Sequence, residues 1–381
     1  VDIPFLWNNA NILFMFMEKK KNLKILAIET SCDETGIALL EASHERVRPK
    51  FRVVRNLVSS QIAIHRPFGG VVPNLAKREH LKNLPILLDK MAGKTLASRK
   101  KFFARIDFIT VTVGPGLEPA LWTGIGFAKQ LAAEYDKPLV GANHLEGHLY
   151  SFLLTPDVTM GKSAHAKNIF PAVALIVSGG HTILLQMESL TKWKRLGETR
   201  DDAAGEAYDK VARLLELPYP GGPEVEKLAR EQSKNDTAPL GTIAFPRPML
   251  RDKNYDFSFS GLKTAVLYYL RDHKTTGAYA HAAKIDVAAS FQAAAIDVLS
   301  AKTVRAAGES GARSIILCGG VAANKSLRAR LKKESVKLDA AFLVPEFKYN
   351  LDNAAMIGAA GYMAYLRKKK YPLNADGGLE I

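Results

Sequence analysis

Lys24-Ile25-Leu26-Ala27-Ile28-Glu29 is a short apolar run ending on a carboxylate. The polar turn Thr30-Ser31-Cys32-Asp33-Glu34-Thr35-Gly36 follows, and Ile37-Ala38-Leu39-Leu40 resumes the apolar run. Two apolar segments around such a turn predict a β-hairpin with a hydroxyl-rich tip. The design recurs at Ala172-Val173-Ala174-Leu175-Ile176-Val177, the turn Ser178-Gly179-Gly180-His181-Thr182, and Ile183-Leu184-Leu185. Two matching units about 150 residues apart predict a duplicated α/β architecture whose halves face one cleft. A third element, Ser314 to Cys318, runs into Gly319-Gly320-Val321-Ala322-Ala323-Asn324 and a basic helix from Lys325, the pattern of a strand, a Gly-rich turn and a helix N-terminus.

Helical spacing is predicted for Leu121 to Glu134, after Gly114-Pro115-Gly116, and for Val287 to Ala307. Segments 155–168 and 232–243 read as surface loops, and Leu366-Arg367-Lys368-Lys369-Lys370 as a solvated basic helix end.

With 381 residues and 47% hydrophobic composition, the chain is long enough for two lobes, each with its own core. A net charge of +15 favours a polyanionic partner, because cations gain from counterion release at phosphate backbones. Two cysteines, Cys32 and Cys318, in no Cys-x-x-Cys pair, fit a reducing cytoplasmic setting and exclude a disulfide framework. The apolar N-terminus precedes its basic run, Lys19 to Lys21, the wrong polarity for a secretory signal, and Asn8, Asn9 and Asn11 break it too often for a membrane span. Residues 1–23 are expected to form an extension outside the fold, and no membrane association is expected.

Asn143-His144-Leu145-Glu146-Gly147-His148 places two imidazoles four residues apart, on one helical face, where both neutral rings can reach one divalent ion. Far downstream, Leu351-Asp352-Asn353 offers a carboxylate in an apolar, Ala-rich stretch. Two His and one Asp would leave positions open for water or substrate, the pattern of a catalytic rather than a structural site. A chance His-x-x-x-His is common, so the surrounding motifs matter. Ser178-Gly179-Gly180 and Gly319-Gly320 let backbone N–H groups approach phosphate oxygens, with Thr30 and Ser31 as hydroxyl donors; a plain tight turn is the simpler reading of each pair.

Asp201-Asp202-Ala203-Ala204-Gly205-Glu206-Ala207-Tyr208-Asp209 is rich in acids, with Asp202, Glu206 and Asp209 spaced for one helical face. A solvated first helical turn explains such acids; a ribose contact by Asp209 is the functional alternative. Tyr219-Pro220-Gly221-Gly222-Pro223 then leads into a helix bearing Glu226. Phe257 and Phe259 fit a half-buried strand better than base stacking, and Lys263 is a candidate phosphate contact. The stretch from Arg66 to His80, with Lys77 and Arg78, reads as an RNA tract or as ordinary loop and helix start.

In order along residues 24–365, the motifs Ile28 to Thr35, Gly69-Gly70-Val71-Val72-Pro73, Gly114 to Leu117, Asn143 to His148, Val177 to Thr182, Asp201 to Glu206, Phe257 to Lys263 and Leu351 to Ile357 closely resemble the bacterial TsaD family. Those proteins are tRNA threonylcarbamoyltransferases, once described as O-sialoglycoprotein endopeptidases. The resemblance implies a two-lobed actin-like (ASKHA) α/β fold with duplicated mixed-sheet subdomains around a central cleft. On that pattern one lobe spans 24–142 plus 353–381 and the other 143–352. It implies transfer of threonylcarbamoyl from threonylcarbamoyl-AMP to N6 of the adenosine beside the anticodon, position 37, in ANN-decoding tRNAs. Metal ligands fall on His144, His148 and Asp352, for iron (Fe2+) or zinc (Zn2+). Ligand-binding positions fall on Ile176, Val177, Ser178, Gly179, Gly180, Asp209, Gly222, Glu226 and Asn324, for threonylcarbamoyl-AMP or ATP with magnesium. Implied partners are tRNA, TsaB-like and TsaE-like proteins, and a TsaC-type synthase that makes the adenylate. Asn143 and Leu351 depart from the family's usual His and Thr, and neither departure removes a ligand.

A zinc protease requires His-Glu-x-x-His, yet Leu145 follows His144 and Glu146 sits one place late. An ATPase or small-molecule kinase of the same fold would use the hairpins but has no need of the His, His, Asp set. A non-catalytic subunit of a tRNA-modifying complex is the third reading.

Overall fold

The structure, a computed structural model, describes residues 20–43, 45, 49–155, 169–232, 243–273 and 278–381. Two compact units emerge, one holding the described residues of 1–64, 71–157 and 351–381, the other those of 65–70 and 158–350. The expected extension up to residue 19 and nearly all of both expected loops, 155–168 and 232–243, lie outside the described residues.

In the first unit, β1 (Asn22–Glu29), β2 (Glu34–Ser43), β3 (Phe51–Ser60), β4 (Phe108–Gly114) and β5 (Leu139–Asn143) form a sheet ordered β3-β2-β1-β4-β5. The hairpin read from residues 24–40 is present, with Ile28 opposite Ile37, and β1 pairs in parallel with β4. The second sheet holds β6 (Ala172–Val177), β7 (Thr182–Met187), β8 (Trp193–Glu198), β9 (Ser314–Cys318) and β10 (Ala341–Leu343) in the order β10-β9-β6-β7-β8. Its hairpin sets Ile176 opposite Ile183, and β6 pairs in parallel with β9. Strand for strand the two sheets repeat one antiparallel meander extended by two parallel strands. The expected duplication is therefore real, and each unit is α/β with a mixed sheet. β1 and β6 carry continuous apolar runs because both of their faces are covered, and β4, buried throughout, adds Thr110 and Thr112 to the interior.

Helices of the first unit are α1 (Pro73–Ala92), α2 (Leu96–Phe103), α3 (Glu118–Glu134) and α4 (His144–Tyr150). The second unit holds α5 (Ala204–Leu214), α6 (Gly221–Gln232), α7 (Ser260–Asp272), α8 (Ala278–Glu309) and α9 (Lys325–Lys337), and α10 (Ala354–Arg367) returns to the first. The spacing-based helices at 121–134 and 287–307 lie inside α3 and α8, which begin earlier. α10 is buried from Ala354 to Tyr365 and packs on β1, β2 and α4. That packing draws residues 143–155 and 351–352 into the first unit, whereas the resemblance placed the divisions at 142/143 and 352/353.

Candidate metal centre and nucleotide loop

α4 starts where β5 ends. Asn143 caps it, its Oδ1 accepting from the backbone N–H of Leu145 (2.8 Å) and Glu146 (3.2 Å). One turn then presents His144 and His148 together, their rings edge to face with centroids 4.7 Å apart. Asp352 arrives from the residue before the cap of α10, where Asn353 Oδ1 accepts from Met356 N (3.1 Å). Nε2 of His144 and of His148 stand 3.5 and 3.2 Å from Asp352 Oδ1. One donor atom from each of the three residues lies within 4.8 Å of the others. Two ligands about 2.1 Å from one ion at a tetrahedral angle would be about 3.4 Å apart, so the set fits a single small cation. Among the described residues it is the only such group of three.

Sequence reading missed the residue behind His144. Glu29, fully buried at the end of β1, has Oε2 3.4 Å from His144 Nδ1 and accepts from the Thr112 hydroxyl (2.6 Å) and the Ser31 backbone N–H. Ser31 Oγ is 3.1 Å from the same ring nitrogen. A carboxylate at Nδ1 fixes the tautomer that leaves Nε2 free to ligate. Burial disfavours the His144 cation, but Asp352 and Glu29 outweigh it and raise the ring to about 9. His148 is held below the ordinary imidazole range, first by burial and then by the neighbouring His144 charge. Burial would raise Glu29, and the attraction of His144 brings it below the usual carboxylate range. A divalent ion in the same place would supply the positive charge that this acid-rich pocket attracts to His144. The signal available in the sequence was an acid closing an otherwise apolar strand.

The turn that carries Ser31 is pinned from α1. His80 Nε2 faces the Cys32 carbonyl (3.0 Å), an acceptor only, so Nε2 carries the proton and Nδ1 accepts from Thr35 Oγ1 (2.8 Å). His80 thus belongs to the core, not to an RNA tract. Thr30, expected as a phosphate donor, is also structural: buried, it donates to the Ala120 carbonyl (3.0 Å).

In the second unit the Gly-rich turn sits over the start of α5. Gly205 N donates to the Ser178 carbonyl (3.2 Å), and a Cβ at Gly205 would strike that oxygen. The positive end of α5 is thereby placed beside Gly179. Ile176 and Val177 are buried strand beneath the turn, while a Cβ at Gly179, Gly180 or Gly222 would meet nothing within 4 Å. Asp209 accepts from Gly221 N (2.7 Å), Glu226 accepts from Lys325 N (2.8 Å) and from Arg230, and Asn324 caps α9 through Leu327 N (2.9 Å). These bonds link α5 to α6 and α6 to α9, so Asp209, Glu226 and Asn324 belong to one hydrogen-bonded framework in the second unit.

Three expectations change. Asp202 precedes α5 instead of sharing its face with Glu206 and Asp209, and it pairs with Lys210 (2.7 Å) and Lys263 (2.8 Å). Lys263 is therefore engaged within the unit. Phe257 and Phe259 are fully buried, as the core reading expected, but the segment makes a single parallel bridge, Phe257 to Thr199, and not the expected strand. Asp201 accepts from the Ser258 and Ser260 hydroxyls and from the backbone of Phe259 and Ser260, locking its motif onto the start of α7.

No helix among the described residues is long and apolar enough to cross a membrane. The family described as TsaD, tRNA N6-adenosine threonylcarbamoyltransferase, matches residues 52–359. A protein of that name from Moorella thermoacetica is 47% identical over 364 residues, covering 95% of this chain and 98% of its own. The Bacillus subtilis (strain 168) protein of the same name is 44% identical over 371 residues, covering 96% and 98%. Among solved structures, T. kodakarensis HypF is similar over 91% of this chain and 48% of its own, with a TM-score of 0.54 and 14% identity. That likeness concerns the fold alone, the actin-like ATPase architecture. Duplicated sheets, the His, His, Asp group and near full-length identity converge: the chain belongs to the TsaD family of tRNA N6-adenosine threonylcarbamoyltransferases.

Proposed function

We propose that this chain is an acyltransferase that moves the threonylcarbamoyl group from threonylcarbamoyl-AMP to N6 of adenosine 37, beside the anticodon, in ANN-decoding tRNAs. Family membership supports the reaction, and the observation that carries the site is the convergence of His144, His148 and Asp352 on one point. In the reaction the adenine N6 forms a bond to the carbamoyl carbon, the bond from that carbon to the phosphate oxygen breaks, AMP leaves with the electron pair, and N6 loses one proton. Adenine N6 is a poor nucleophile, so activation of the electrophile and alignment supply most of the rate.

His144, His148 and Asp352 would hold the metal, Fe2+ or Zn2+, donors that suit both. When bound, the ion supplies a Lewis acid that polarises the threonylcarbamoyl carbonyl. Glu29 orients His144. Gly179 and Gly180, above the strand end at Ile176 and Val177, receive the adenylate phosphate through backbone N–H groups, and Ser178, whose own N–H donates to the His181 carbonyl (2.8 Å), holds the turn in shape; the open space at the glycines supports this. Asp209, Gly222 and Glu226 lie toward the ribose, and Asn324 toward base or ribose. The +15 charge suits a tRNA substrate. TsaB-like and TsaE-like proteins act with the chain, a TsaC-type synthase supplies the adenylate, and the setting is the cytoplasm.

The test is a reconstituted assay with purified partners, an ANN-decoding tRNA and supplied threonylcarbamoyl-AMP. His144→Ala and Asp352→Ala each abolish modification. Turnover near the parent's in both variants would remove the metal role.

A further inference from the structure

Between the two histidines, α4 carries a fully buried carboxylate, Glu146, for which the transfer reaction has no use. Its partners all come from one stretch of chain. Arg367 donates to Oε2, the Tyr371 hydroxyl donates to Oε1, and Lys369 Nζ lies 3.5 Å from Oε1. The same stretch reaches the start of the helix, where Asn143 Nδ2 donates to the Glu380 carbonyl (2.9 Å) while its Oδ1 caps α4. The body of α10, whose last residue is Arg367, also presses close, and a Cβ at Gly147 would come within 3.0 Å of Ile357 Cδ1 and 3.1 Å of Met356 Cγ.

A helix of seven residues does not hold its own orientation; its surroundings do. Rolling α4 about its axis would carry both imidazoles away from Asp352 at once. A buried ion pair adds little net stability over an apolar replacement of the same shape, so what Glu146 contributes is a fixed geometry. We propose that Arg367, Tyr371 and the Glu380 carbonyl form a strap that sets the orientation of α4, with Glu146 as the positioning residue through which it acts on His144 and His148. The proposal rests on the metal reading of those histidines.

The experiment titrates Co2+ alone into the full chain, reading affinity by chelator competition and ligand geometry by the visible absorption bands. Glu146→Gln and Tyr371→Phe each weaken Co2+ by about tenfold and shift the bands, the scale typical of residues that orient metal ligands. Affinity for adenine nucleotide stays at the parent value. Leu131→Ala, a core truncation on α3 in the same unit, lowers the urea midpoint and leaves Co2+ affinity unchanged. Should Glu146→Gln fail to fold, Tyr371→Phe decides alone, since it removes one hydroxyl and keeps the ring. Parent-like affinity and bands in Tyr371→Phe, with His144→Ala losing the ion, overturn the strap while sparing the metal reading. A His144→Ala chain that binds Co2+ like the parent overturns both.

Discussion

The two hairpins, β1–β2 and β6–β7, share strand pairing and place in their sheets, yet their turns are built for opposite charges. The first runs Glu29-Thr30-Ser31-Cys32-Asp33-Glu34, with Glu29 buried and braced against an imidazole. The second runs Ser178-Gly179-Gly180-His181, with a helix N-terminus beneath it and open space over both glycines. One turn collects side-chain anions where a cation would sit, while the other clears side chains so that backbone donors can meet an anion. Duplication supplied the frame, and the turn residues supplied the chemistry.

The largest effect that would break this contrast is expected at Glu29. Glu29→Ala strands a buried imidazole, a Thr112 hydroxyl and a Ser31 N–H, and should cost about 3–5 kcal/mol by urea unfolding. A loss below about 1 kcal/mol would mean that the first turn does not depend on its acid. Next comes Gly205→Ala, whose Cβ meets the Ser178 carbonyl; about 1–3 kcal/mol of lost stability, together with weaker nucleotide binding in calorimetry, is expected.

A subtler test compares Glu29 with Asp201, whose carboxyl burial would raise but which the Ser258 and Ser260 hydroxyls and neighbouring backbone N–H groups hold below its usual range. Its folded-state value is depressed, so its contribution is complete above the unfolded value of about 3.9 and fades as pH falls through the folded value. The difference in urea midpoint between the parent and Asp201→Asn should therefore be present at pH 7 and shrink below about pH 4. Smallest of all is Gly179→Ala. Stability should change by no more than about 0.5 kcal/mol, while nucleotide affinity falls because a methyl group now occupies the anion's approach.

Both hairpins were legible because their signal is local: apolar runs around turn residues, with Ile28 and Ile176 falling at the strand positions expected. The histidine pair was legible for the same reason, through helical spacing. Asp352 was legible as a lone carboxylate in an apolar, Ala-rich stretch, and the family resemblance gave it the same place beside the histidines. Glu29 went unread because its partner depends on sheet order, which lays β4 and β5 beside β1 and brings the start of α4 to the strand end. The basic end Leu366 to Lys370 was misread as wholly solvated. Arg367 finds a buried partner 221 residues upstream in Glu146, a fact that no charge run discloses. The place of Asp202 ahead of α5 and its pairing with Lys263 were hidden likewise, being visible only in three dimensions.

α10 carries a consequence for how the family can vary. Asp352 lies just ahead of a helix that closes on Leu40 through Gly358 and on Thr110 through Gly361, and a Cβ at either glycine would strike those side chains. In a random-mutagenesis library, substitutions at these two positions should vanish under selection for tRNA modification as completely as substitutions of the ligands themselves. Neither glycine touches substrate; each sets the depth at which the whole helix, and the carboxylate at its head, is seated.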